Sequence, residues 1–277
     1  MMDMGINQPP AVTVNRPAPE PHPMEVRTYL QRIKYHGLLT PSLDALRALY
    51  VAHCQTVPYE NVDLCLGRSP ELTEAALFNK IVRQWRGGVN SELNGLFVAL
   101  LRALGFSATL VAAQRVDDTG FPKSETLHSM VLVNLEQRWL LDVGSWDTPG
   151  MFLALDDGEV AHFAPAYRVT QNGPLWTVWK HIQDDHWRER YLLHLKTRPL
   201  TNFAPANLNG ASTQENTLVE HLICALETPT GRLTVRHARL TIVSQGQLQE
   251  QYTLNRDNWR AALHSYFGIE LPGEVKA

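Results

Sequence analysis

Arg86-Gly87-Gly88-Val89-Asn90-Ser91-Glu92-Leu93-Asn94-Gly95-Leu96-Phe97 is the stretch that decides how this chain is read. Two consecutive glycines break a helix, because glycine is among its weakest formers. A new helix starts near Asn90, with Leu93, Leu96, Phe97 and Leu100 at helical spacing and Gly105 at its stop. An asparagine at a helix start is by default an N-cap, worth about 1 kcal/mol. The position also has chemical value, since a helix N-terminus favours negative charge. A cysteine there, beside an imidazolium, would ionise readily. A carboxamide has no thiolate to offer, so Asn90 is no nucleophile. Ser91 does not replace it, because at about 3.6 residues per turn its side chain points about 100° away.

Outward from this stretch the period is helical on the N-terminal side. Val26, Tyr29, Leu30 and Ile33 form one face that ends at Gly37. Thr40-Pro41 reads as a cap and first helical position before Leu43, Leu46 and Leu49. Thr73 caps a third helix with Ala76, Leu77, Ile81 and Trp85 as its buried positions. Upstream, residues 1–23 carry Pro9, Pro10, Pro17, Pro19, Pro21 and Pro23 and read as a solvated, disordered tail. On the C-terminal side the period becomes that of strands: Ala108–Val116, Ser129–Leu135, Arg138–Val143, Tyr167–Thr170, Leu175–Lys180 and Arg190–Leu195. Residues 217–227 suit helix and strand equally. Arg232–Thr241 and Leu248–Thr253 read as a late hairpin, and Asp257–Phe267 as a helix stopped by Gly268. The expected organisation is a helical lobe at 24–106, a strand lobe at 107–199 and a mixed lobe at 200–277.

The chain has 277 residues, 44% hydrophobic and 19% charged, the composition of a globular protein with a sizeable core. A net charge of −3 favours neither nucleic acid nor an anionic membrane. No apolar run approaches a membrane span, and the N-terminus has no signal-peptide pattern. Cys54, Cys65 and Cys224 are sparse and without metal-ligand spacing, which fits a reducing cytoplasm and no metal site. All three read as inert core thiols.

His128 opens one strand and Asp142 closes the next. Antiparallel neighbours bring such positions together, and a carboxylate beside an imidazole fixes its tautomer and raises its basicity. Asn90, His128 and Asp142 are therefore the expected catalytic constellation.

Together these segments resemble the arylamine N-acetyltransferase family. The resemblance rests on Tyr29-Leu30-Gln31-Arg32-Ile33, Val57-Pro58-Tyr59-Glu60-Asn61, the Arg86–Asn94 segment, the His128 strand and Asp142-Val143-Gly144. The family pattern is R-G-G-x-C-x-E-x-N, and here Asn90 stands at its cysteine. The resemblance implies an α+β fold of three lobes (a helical bundle, a β-barrel and an α/β lid) with cysteine-protease-like triad geometry. It implies ping-pong acyl transfer from a thioester to an amine, with His128 as base and Asp142 as its orienting acid. It also implies Arg86 and Glu92 as an ion pair supporting the segment, and substrate contacts from Val89, Val116, Gly144, Ser145, Trp146 and Phe203. No permanently bound cofactor is implied; the co-substrate would be acyl-CoA or an acyl-carrier-protein thioester. The partners would be a small amine, the thioester and, as in amide-forming relatives of natural-product pathways, a carrier protein.

Two departures from the pattern stand out. Asp142-Val143-Gly144-Ser145-Trp146 replaces the family's D-V-G-F-G, and the serine-rich stretch after the barrel is only echoed in Asn207–Thr213. Asn90 leaves three readings open: direct attack of an amine on the thioester with Asn90 as a carbonyl donor, a disabled N-acetyltransferase, or a non-catalytic binding protein. Thioester hydrolysis would use the same His–Asp pair.

Overall fold

The computed structural model describes residues 23–117, 121–148, 150–156, 166–204 and 220–271. Of the tail expected over residues 1–23, residues 1–22 lie outside them, as does the Asn207–Thr213 stretch, while Pro23 already belongs to a helix. Helix α1 (Pro23–Arg32) begins at a proline, whose fixed φ suits a first turn. It ends at Lys34, in the left-handed region at φ 54°, before Gly37 is reached. Helix α2 (Leu43–Cys54) is capped by Ser42, whose hydroxyl accepts from the Ala45 N–H, and not by Thr40. The two-residue strand β1 (Tyr59–Glu60) leads into the single turn α3 (Val62–Cys65). Thr73 caps α4 (Glu74–Phe78), which widens into a π-turn at Asn79–Arg83. That widening rotates the register and puts Trp85 outside, 51% exposed with Arg32 over its ring, where a continuous helix would have buried it.

Helix α5 (Asn90–Ala103) follows and is buried on nearly every side. Gly87 and Gly88 deliver it. A Cβ on Gly87 would lie 2.0 Å from the Pro58 carbonyl oxygen, so only glycine lets this segment pair against β1.

Seven antiparallel strands come next: β2 (Ser107–Val116), β3 (Pro122–Asn134), β4 (Arg138–Leu141), β5 (Phe152–Ala154), β6 (Tyr167–Asn172), β7 (Leu175–Gln183) and β8 (His186–Thr197). Their order is β5-β4-β3-β2-β8-β7-β6. The edge strands β5 and β6 approach each other, so the sheet curls into a nearly closed barrel. Strand β3 shows why both faces are apolar. Val131 and Val133 pack with α5 in the main core, while Met130 and Leu132 point into the barrel with Leu140, Tyr167 and Tyr191.

The last lobe is a sheet of order β1-β9-β10-β11-β12, made with β9 (Cys224–Thr228), β10 (Gly231–Arg236), β11 (Arg239–Ser244) and β12 (Gln247–Thr253). The expected single strand over Arg232–Thr241 is two strands, turned at His237 and Ala238 with φ of 50° and 55°. Helix α6 (Trp259–Phe267) closes the lobe and stops at Gly268, φ 66°. Its core joins Val62 and Cys65 from the N-terminal half to Leu222, Cys224, Val235, Trp259 and Leu263. The lid is thus built on β1 and α3 as well as on the C-terminal stretch.

Candidate active site

Five ionisable side chains set the N-terminus of α5 in place. Arg86 is 5% exposed and donates from Nε to Glu60 Oε1 at 2.9 Å, with Nη2 2.7 Å from the same oxygen and 3.2 Å from Asp63 Oδ2. Lys80 Nζ lies 2.8 Å from Asp63 Oδ2 and 2.9 and 3.0 Å from the two oxygens of Glu92. Glu92 Oε2 in turn accepts the Val89 N–H at 2.9 Å, satisfying an amide that α5 leaves unpaired. Arg86 and Glu92 therefore do not pair with each other as expected; each is held by other partners. Burial pushes the Glu92 carboxyl up despite Lys80, whereas Asp63, also penalised by burial, is held below its ordinary value by Lys80 and Arg86.

The default reading of Asn90 as an N-cap does not hold. Val89 is the N-cap residue, and Asn90 is the first residue of the helix. The Asn90 carboxamide turns to β3. Its Oδ1 accepts from Ser129 N and from Ser129 Oγ, both at 2.7 Å, which fixes the oxygen. Its Nδ2 then faces Ser129 O at 3.1 Å and Asp142 Oδ1 at 3.3 Å. The side chain pairs with both backbone groups of Ser129, and both protons of Nδ2 have acceptors inside the protein.

His128 and Asp142 meet. His128 Nε2 lies 2.5 Å from Asp142 Oδ2, with the ring 7% and the aspartate 2% exposed. Asn90 Nδ2 is also 3.0 Å from His128 Nε2. The shorter contact decides the tautomer. A carboxylate oxygen at 2.5 Å requires a proton on Nε2, and Asn90 Nδ2 has its other acceptors. The ring's lone pair then lies on Nδ1, to which no hydrogen bond is made among the described residues. Asp142 Oδ1 is filled by Asn94 Nδ2 at 2.8 Å and Gly144 N at 2.8 Å as well as by Asn90. The Tyr191 ring stacks on the imidazole with centroids 4.8 Å apart.

The remaining expected contacts disperse. Val116 and Trp146 line a cleft of about 550 Å³ with Arg115, Asp147, Lys180, Arg188, Arg190 and Arg236. Arg236 lies over the Trp146 ring at 4.7 Å. Asp147 pairs with Arg115 and Arg190. Burial works against its charge, but Arg115, Arg190 and His128 outweigh it and hold the carboxyl below its ordinary value. Lys180 is pushed down by burial first and then by Arg190, with Asp147 opposing. Ser145 faces away, bonded within its own loop to Asp147 and Thr148. A Cβ on Gly144 would come 2.8 Å from Asn90 Cα, so Gly144 spaces the Asp142 loop against α5. Val89 and Phe203 are buried, Phe203 in the main core.

Sequence reasoning assigned no role to Ser129, Asn94, Lys80, Glu60 or Tyr191, although Glu60 and Asn94 lie in the segments that carry the resemblance. Asn94 carried a signal: it lies four residues after Asn90, on the same helix face, and is fully buried. Ser129 acts mainly through its backbone, which no side-chain pattern reports.

This α+β topology sets a helix N-terminus against a histidine–carboxylate pair. The sequence model of the N-acetyltransferase family matches residues 42–275, and the chain belongs to that family. The arylamine N-acetyltransferase / N-hydroxyarylamine O-acetyltransferase of Salmonella typhimurium is 31% identical over 231 residues, 82% of each chain. The arylamine N-acetyltransferase of Escherichia coli K12 is 30% identical over 248 residues, 87% of each. Among solved structures, the Salmonella typhimurium enzyme matches with a TM-score of 0.79 at 29% identity, covering 91% of this chain and 93% of that one. The Mycobacterium marinum arylamine N-acetyltransferase in complex with CoA matches at 0.74 and 28%, covering 88% and 92%.

Among the described residues, no helix is long and apolar enough to cross a membrane, and no group of three His, Cys, Asp or Glu side chains is placed to hold a metal.

Proposed function

We propose that this chain transfers an acyl group from a CoA thioester to an amine without an acyl-enzyme intermediate. The observation that carries this is the buried His128–Asp142 couple, assembled at 2.5 Å beside a residue that has no thiol. The amine nitrogen attacks the thioester carbonyl carbon, and the C–S bond breaks. His128 Nδ1 takes the amine proton and returns it to the departing thiolate, giving an amide and free thiol. Asp142 holds the ring by Nε2–H and stabilises the imidazolium that forms.

Asn90 does not serve as the carbonyl donor in this reading, since both its Nδ2 protons are taken by Ser129 O and Asp142 Oδ1. It locks β3 to α5 and so positions His128. The dipole of α5 favours the charge that develops on the thioester oxygen. The cleft beside Trp146, with five cationic and three acidic side chains, suits the phosphates of CoA. That the Mycobacterium marinum relative was solved with CoA supports this donor. A carrier-protein thioester would present the same phosphopantetheine arm.

Acetyl-CoA and aniline, with products read by mass spectrometry, test the proposal. Wild-type chain should release acetanilide and CoA, and His128→Ala should lower turnover by about 10²–10⁴-fold. Equal turnover of the two would overturn it, and hydrolysis would show as acetate without amide.

The clasp of Asn90 on Ser129 favours a second reading, a family member that binds without turnover. The carboxamide occupies the place of the nucleophile and is satisfied where it is. Ligand binding with no release of CoA thiol by the wild-type chain would establish it.

A further inference from the structure

A second cavity, of about 470 Å³, lies between α2 and the turns that join β9 to β10 and β11 to β12. It shares no lining residue with the Trp146 cleft. Its volume falls in the range of about 300–1,000 Å³ common to small-molecule sites. The wall from α2 presents Tyr50 and Val51. The wall from the sheet carries one acid and one base, Glu227 and Arg232, with Val243 across from Arg232 in the strand register.

These two charges are poorly satisfied by each other. Glu227 Oε1 lies 3.2 Å from Arg232 Nε, yet Nε makes no hydrogen bond among the described residues. The side chains are only 25% and 16% exposed, so water screens them little. Burial pushes the Glu227 carboxyl up, with Arg232 opposing. An acid and a base facing an apolar wall in one cavity complement a ligand with both charges and an apolar body.

The cavity also touches the frame of the active site. The Tyr50 hydroxyl donates to Asp142 O at 3.4 Å, and Arg232 Nη2 donates to Ser145 O at 3.2 Å. Both ends of the segment from Asp142 to Ser145 are thus held by side chains that line the cavity.

We propose that this cavity is a binding site for a small zwitterion of the amino-acid class, its ammonium on Glu227, its carboxylate on Arg232 and its apolar side chain against Tyr50, Val51 and Val243. The site stands apart from acyl transfer at His128.

Isothermal titration calorimetry on the whole chain tests this with L-phenylalanine, 3-phenylpropionate and phenethylamine. Phenylalanine should bind one to one, and each singly charged analogue about tenfold more weakly or worse, because each can engage only one of the two charged side chains. Glu227→Gln should weaken phenylalanine by a similar factor, and His128→Ala should leave it unchanged. Val243→Trp, which fills the cavity and keeps both charges, should abolish binding and keeps the test decisive if Glu227→Gln does not fold. No heat with phenylalanine, equal affinities across the three probes, or binding retained in Val243→Trp would overturn the proposal. Loss of phenylalanine binding in His128→Ala would move the site to the acyl-transfer centre and overturn it as well.

Discussion

The side chain of Asn90 offers one acceptor and one two-proton donor, and Ser129 offers the complementary backbone pair, so the carboxamide docks on β3 much as another strand residue would. A cysteine at the same place makes no such pairing. Its sulfur would stay free beside the His128 imidazole at the N-terminus of a 14-residue helix. Both influences favour the thiolate. Asn90→Cys is therefore expected to create one fast-reacting thiol against a slow background. The background is slow because burial pushes all three native thiols up: Cys65 to about 11, Cys54 further, and Cys224 well above its ordinary value. Iodoacetamide labelling at neutral pH, followed by peptide mass mapping, should find position 90 modified first. Modification at Cys65 just as quickly would show that His128 and the helix dipole do not activate this position.

At the scale of elements, α5 is seated by charges that come from three other segments. Lys80 leaves the π-turn, Glu60 belongs to β1 and Asp63 to α3, and all converge with Arg86 and Glu92. Lys80→Met would remove the cation from Glu92 and leave Glu60 and Asp63 to Arg86, with Arg68 3.8 Å from Asp63. Breaking a buried network of this kind costs about 3–5 kcal/mol. Urea unfolding should show that loss, and adding Glu92→Gln should recover part of it, since the neutral amide still accepts the Val89 N–H. A loss no larger than that of an exposed lysine would mean the network is screened. None of this convergence was legible in the sequence, because the partners lie 12 to 26 residues apart and nothing local marks them. The helices themselves were legible. Leu93, Leu96, Phe97 and Leu100 gave α5 its period, and Thr73 gave a true cap. The π-turn was not, since its side-chain spacing mimics an ordinary helix until Trp85 emerges outside. The turn at His237-Ala238 was missed for a related reason: left-handed residues that are neither glycine nor asparagine carry no turn signal. The meeting of His128 and Asp142 was legible because antiparallel neighbours have a fixed geometry.

Over the whole molecule, the barrel, the cleft and the loop after Asp142 are tied together at Asp147. Its carboxylate pairs with Arg115 on β2 and Arg190 on β8, and Lys180 on β7 donates to its backbone oxygen at 3.2 Å. Its folded carboxyl is held below the ordinary 3.8. Such a group binds its proton less tightly when folded. Its stabilisation is therefore complete above the ordinary value and is lost as pH falls through the folded one. Glu92 and Glu227 act in the opposite sense. Their carboxyls are raised above 4.5 by burial, so ionising them costs stability, and acid relieves that cost. The net acid response of the chain mixes these contributions, but Asp147→Asn removes only the first. Its two arginines are 27% and 15% exposed, so partial screening puts the expected loss at neutral pH at about 1–3 kcal/mol, below that of a fully buried pair. The difference between wild type and variant in urea unfolding should shrink as pH drops below the ordinary 3.8 and through the folded value, because a protonated aspartate and an asparagine are then nearly equivalent. A difference that stays constant from neutral to acid pH would mean that Asp147 acts through its shape and hydrogen bonds, and that charge is not what joins the cleft to the barrel.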